Sequence, residues 1–148
     1  MKRIVVIFLF LTSHLFGQDT LNTAQFEVND CIQLYDGPIV IRTRNSLDSL
    51  IRKDASSERC QEHLKDLDLD NFSLLGINLN TGYCQFPTGL TFSVVKTVQG
   101  KRCTVLISYI EPLTPCRALI SYKLWIKVPS IPEDFDVKFV VTPLPYQE

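Results

Sequence analysis

The chain is poor in the residues on which most enzyme chemistry rests. It holds two histidines, His14 and His63, and no CxxC pair, so a metal centre of cysteine and histidine has few donors to draw on. No GxGxxG or GxxxxGK occurs, which leaves no phosphate-cradling loop and implies no nucleotide cofactor. Lysine and arginine (15) do not outnumber aspartate and glutamate (16) and are scattered, so there is no basic stripe for nucleic acid or an anionic membrane. Only one long apolar run exists, Ile4 to Leu11, and it is shorter than the roughly 20 residues a bilayer span requires.

That run has another meaning. A basic start, Met1-Lys2-Arg3, precedes it, and a more polar stretch from Thr12 to Gly17 follows, ending in a small residue. This is the order of a secretory signal peptide, 1–17, with cleavage near Gly17. Removing 17 of the 148 residues leaves roughly 131, enough for one domain with its own core. Loss of Lys2 and Arg3 takes the formal net charge from −1 to about −3. No cysteine follows the leader directly, so a lipid-anchored form is not expected. The expectation is a secreted or periplasmic protein with no membrane span once the signal is removed. Residues 18–30 read as a flexible lead-in, 31–143 as a single β-rich domain and 144–148 as a tail.

Five cysteines lie beyond the leader, and in an exported chain they read first as a disulfide framework. The strongest local signal is a hairpin folding at Gln99-Gly100. Its arms, Leu90–Thr97 and Cys103–Ile110, are rich in β-branched and aromatic residues. If Val98 faces Lys101, the same register carried outward brings Cys84 nearly opposite Cys116. A Cys84–Cys116 bridge would then close the open end of this hairpin. Cys31 and Cys60 pair by default, and Cys103 is left as a buried free thiol beside Val105, Ile107 and Tyr109.

Around the hairpin the chain alternates strands and corners. Cys31–Tyr35 reads as a short strand, Asp36-Gly37-Pro38 as a turn and Ile39–Arg42 as a strand. Asn45 or Ser46 caps a helix whose apolar face is Leu47, Leu50 and Ile51, ending near Lys53-Asp54. Ala55–Cys60 reads as loop and Gln61–Lys65 as one more helical turn. Asp66–Asp70 alternates leucine with aspartate, as a half-exposed strand does, and leads into a strand over Phe72–Leu79. Asn80–Tyr83 is a turn signal, and Pro112–Pro115 is a stiff corner. Strands follow at Leu119–Val128 and Phe135–Val141. The fold class expected is α+β: mostly antiparallel sheet, a small sandwich or half-open barrel, with one short helix packed on it.

Several short motifs are shared with a known family. Asp70 to Phe72, Leu75-Gly76, Thr81-Gly82-Tyr83, Pro115-Cys116-Arg117-Ala118 and Trp125-Ile-Lys-Val-Pro129 together resemble the C-terminal domain of the PrcB family. Those are bacterial exported proteins named for a subunit that stabilises a surface protease complex. The resemblance spans roughly Ile39 to Val141. It implies a non-catalytic module that binds or stabilises another exported or surface protein, a protease being one candidate. Separately, Asn80-Thr-Gly-Tyr83 is similar to the turn with which chagasin-type inhibitors enter papain-like proteases. That gives an alternative, a protease inhibitor acting through loops 80–83 and 112–118, although its other two loops have no good counterpart here.

The remaining chemistry is thin. His63 sits among charged neighbours and reads as a solvated side chain rather than a general base. Asp66, Asp68 and Asp70 begin like a calcium loop, but its sixth and twelfth places hold Asn71 and Ile77 instead of Gly and Glu. No enzyme, metal or cofactor is expected. Partner contacts are sought at Tyr83, Arg117 and Trp125. Trp125 has two readings: an exposed anchor between Lys123 and Lys127, or a core residue beneath the helix containing Leu47 and Ile51.

Overall fold

The computed structural model describes residues 18–28, 31–34, 37–51, 57–83, 86–111 and 115–146, with the side chains of 57, 63, 81–83 and 115–120 outside that description. Cys84 and the leader expected over 1–17 lie outside the described residues. In chain order the elements are β1 (Gln18–Thr20), β2 (Ala24–Gln25), β3 (Ile39–Ile41), α1 (Arg44–Leu50), α2 (Ser57–Leu64), β4 (Phe72–Tyr83), β5 (Thr88–Thr97), β6 (Arg102–Ile110), β7 (Pro115–Pro129) and β8 (Asp136–Leu144). They form two four-stranded sheets, sheet A with order β1-β5-β6-β8 and sheet B with order β2-β7-β4-β3. The fold is the expected α+β sandwich, with two helices rather than one.

The hairpin β5–β6 forms in the expected register, from Thr97↔Arg102 out to Thr91↔Ser108. Lys101 N donates to Val98 O at 3.2 Å, and Gly100 supplies the positive φ of 87° that this turn needs after Gln99. Beyond Thr91 the pairing shifts, so that Thr88 faces Ile110. The last described pair of this hairpin is Thr88↔Ile110. Cys116 belongs to β7, in the other sheet, and the last described pair there is Tyr83↔Pro115 of β4 and β7. The strand pairing beside Cys116 is therefore β4–β7, not the β5–β6 hairpin on which its expected pairing with Cys84 was argued.

Alternation sorts the side chains into two cores. Leu75, Ile77, Leu79, Leu124, Ile126 and Val128 of sheet B meet Val94, Cys103, Val105, Ile107 and Tyr109 of sheet A. The opposite face of sheet B presents Ile41, Leu74 and Trp125 to Leu47 of α1 and to Cys60 and Leu64 of α2. The helical layer thus covers the outer face of sheet B around Leu74, Gly76 and Trp125, while Asn80, Ser121 and Lys123 further along that face stay exposed. Cys31 and Cys60 form a disulfide, each 4 % exposed, which ties α2 to the segment before β3.

Several local expectations are corrected. Residues 18–28 are not a free lead-in: β1 pairs with β5, β2 pairs with β7, and Val28 is buried. The cap of α1 is Thr43, whose Oγ1 accepts from Ser46 N at 3.3 Å, two residues before the expected start. The helix ends at Leu50, and Cys31–Tyr35 contributes only the bridge Ile32↔Ile51. Cys60 lies in helix, not loop, because Cys60 and Leu64 stand four residues apart on one buried face. Leu67 and Leu69 are buried and their aspartate neighbours exposed, as the alternation predicts, but this stretch is a turn. Asp68 holds it: Oδ1 accepts from the backbone N of Asp70 and of Asn71, and Oδ2 accepts from Asn71 Nδ2. Asn80–Tyr83 continues β4, with a register shift between Thr81 and Tyr83, rather than turning. Finally, β8 extends to Leu144 and runs parallel to β6, from Arg102↔Asp136 to Ile110↔Leu144, so sheet A is mixed.

Candidate functional site

Among the described residues, the uncovered sheet surface with aliphatic side chains at its centre is the outer face of sheet A. Its origin is the strict alternation of β6: Cys103, Val105, Ile107 and Tyr109 turn into the sandwich, while Thr104, Leu106 and Ser108 turn away. Paired residues share a face, so register fixes the rest. Val95 of β5 and Lys138 of β8 flank Thr104, Ser93 and Val140 flank Leu106, and Thr91 and Thr142 flank Ser108. The row nearest the Gln99-Gly100 turn is Gln18, Thr97, Arg102 and Asp136.

Charge is confined to that end. The two middle rows, Ser93–Leu106–Val140 and Thr91–Ser108–Thr142, carry aliphatic groups and hydroxyls only. They line a shallow depression of about 470 Å³. Leu106 is 42 % exposed at its centre, and the Thr91 and Ser108 hydroxyls hydrogen-bond to each other at 2.7 Å. Such a surface can bury apolar area and exchange hydroxyl hydrogen bonds. The middle rows place no carboxylate, amine, imidazole or thiol beside these hydroxyls to activate them.

The groups with chemical potential sit elsewhere. Cys103, the free thiol among the described cysteines, is fully buried. Burial pushes its pKa up, against the opposite pull of the Lys96 and Arg42 charges, so it stays a thiol. Lys96 is itself engaged, its ammonium 4.9 Å from the Phe135 ring centre, and Arg42 donates to Phe135 O at 2.9 Å. In the aspartate-rich turn the carbonyl oxygens of Leu64, Lys65 and Leu67 each accept from the Arg44 guanidinium at 2.9 Å. The Asp68 carboxylate is committed to the Asp70 and Asn71 amides and the Asn71 side chain, so it serves as a turn-former. Among the described residues no group of three or more His, Cys, Asp or Glu comes together to hold a metal.

Of the contacts sought from sequence, Trp125 is withdrawn. It is 4 % exposed and packs with Leu47, so the core reading holds. Tyr83 and Arg117 have their backbones in the paired strands β4 and β7 rather than in loops, and their side chains lie outside the description. Residues 112–114 also lie outside it. The inhibitor reading needed 80–83 as a projecting loop, and that stretch is strand.

The middle-row residues Ser93, Leu106 and Val140 were not singled out from sequence. The signal was present, since the alternation that assigned Val105 and Ile107 inward also turned Leu106 outward. What sequence could not supply was whether another element would cover that face.

No helix among the described residues is long and apolar enough to cross a membrane. No family model, curated protein or solved structure matches the chain.

Proposed function

We propose that this chain is an exported, non-catalytic module that binds another exported or surface protein through the outer face of sheet A. The observation that carries this reading is the contrast between the sheets. The open part of sheet B's outer face, around Asn78, Asn80, Ser121 and Lys123, is polar, whereas sheet A leaves the aliphatic Leu106 and Val140 open among hydroxyls. The buried Cys31–Cys60 disulfide is compatible with an oxidising compartment, as the signal-like N-terminus requires. The resemblance to PrcB-type domains points the same way.

The charge pattern limits the partner. An uncharged centre with Arg102, Asp136 and Lys138 at one end suits a flat, mostly neutral protein surface whose own charges lie at one edge. Three strands about 4.8 Å apart and about 30 Å long present roughly 450 Å². That is below the roughly 800 Å² per partner of a stable interface, so an association of micromolar strength is expected.

The test compares wild type with Leu106→Lys as bait in the exporting cell's envelope and medium fractions. The Leu106→Lys change should leave folding intact, because the side chain already faces water, and should remove a partner that wild type retains. A partner retained equally by both baits would contradict the reading.

A further inference from the structure

We propose that Gln18 becomes the first residue of the exported chain and closes to a pyroglutamate. The inference rests on the export reading above and adds a covalent modification to it. β1 begins at Gln18, the residue that follows the expected cleavage near Gly17. Leu21 N donates to Val94 O at 2.8 Å, and β1 pairs Thr20 with Val95, Asp19 with Lys96 and Gln18 with Thr97.

In an antiparallel ladder bonded and non-bonded pairs alternate. Leu21/Val94 and Asp19/Lys96 are therefore the bonded pairs, and Gln18/Thr97 is a non-bonded one. The backbone nitrogen of Gln18 thus points away from β5, and the residue is exposed. Once the Gly17–Gln18 bond is cut, that nitrogen is a free amine with no place in the ladder to lose.

The chemistry is internal. The amine lone pair attacks Cδ of the Gln18 carboxamide, a new N–Cδ bond forms, the Cδ–NH2 bond breaks and ammonia leaves. No oxidant or co-reactant is consumed, and the product is a five-membered lactam. Ring closure also abolishes the terminal positive charge. That charge would otherwise lie across Thr97 from Arg102, at the charged end of the outer face.

The test uses protein recovered from the exporting cell, labelled with an amine reagent before digestion, and reads the mass of the N-terminal peptide. The expected peptide starts at residue 18, is lighter by one ammonia and carries no label. A labelled, full-mass peptide starting at Gln18 overturns the cyclisation while leaving the export reading intact. A chain that still carries residues 1–17 overturns both, and a start at another residue overturns the assignment of Gln18. A Gln18→Asn variant separates the lactam from other blocking groups, because the shorter side chain would need a four-membered ring. It should take the label fully, and a blocked N-terminus at position 18 of that variant would overturn the proposal.

Discussion

Gly76 of β4 stands directly opposite Trp125 of β7, and the indole ring lies over the glycine. A Cβ built at Gly76 would sit 2.4 Å from the Trp125 ring, closer than real carbon atoms approach. The absence of a side chain at 76 is what lets the indole lie flat on sheet B and meet Leu47. Gly76→Ala should push the ring out of the helix-side core and cost about 1–3 kcal/mol, the usual range for overpacking. Trp125→Ala should cost about 3–5 kcal/mol by leaving a cavity. Chemical denaturation read by tryptophan fluorescence measures the first, and circular dichroism the second. A fully stable Gly76→Ala protein would mean that the indole lies elsewhere.

The Cys31–Cys60 bridge closes a loop with a sequence separation of 29. In the chain-entropy treatment that is worth roughly 3–4 kcal/mol. Replacing both cysteines by serine should lower the melting temperature by roughly 10–15 °C, since about 1 kcal/mol shifts a domain of this size by roughly 3–4 °C. An unchanged melting curve would show that the helical layer does not depend on the bridge. Non-reducing peptide mapping of the same protein would also test the Cys84–Cys116 pairing expected from sequence.

Cys103 should be silent toward thiol reagents in the native protein. It is fully buried, and burial holds its pKa above the ordinary thiol value. Native protein should take up no label at residue 103, and denatured protein should take it up readily. Rapid native labelling there would contradict the sandwich core.

Asp68 should make the 66–71 turn acid-sensitive. Its hydrogen bond from the Asn71 side chain, then the one from the Asn71 backbone, holds its carboxyl below the ordinary value of 3.8. A depressed folded pKa means a contribution present above 3.8 and lost as pH falls through the lower folded value. Hydrogen exchange at the Asp70 and Asn71 amides should therefore accelerate below that range. In Asp68→Asn the acid-dependent step should be missing.

How much was legible beforehand depended on the range of the interaction concerned. The β5–β6 register followed from one turn and local alternation, and it held for Thr91–Thr97. Carried further out, the same reasoning missed the register shift between Thr88 and Thr91 and the place of Cys116 in the other sheet, because neither is written in local pattern. Only the second half of α2 was read, as one turn over Gln61–Lys65, because Cys60 and Leu64 are the core-facing residues among its described side chains and cysteine does not register as a helical hydrophobe. The parallel pairing of β8 is a topological outcome, set by which edge of sheet A stays free once β1 has taken the other. Trp125 was readable only as a choice between two environments, and Gly76 opposite it decided the matter.

The account turns on whether Leu106 faces a partner. A photo-crosslinking residue at 106, in the otherwise wild-type exported protein, tests that most directly. The account predicts one defined adduct, displaced by excess wild-type protein but not by excess Val140→Lys. An adduct displaced equally by both competitors, or adducts only when the probe is moved to Phe86 or Val98, would contradict it.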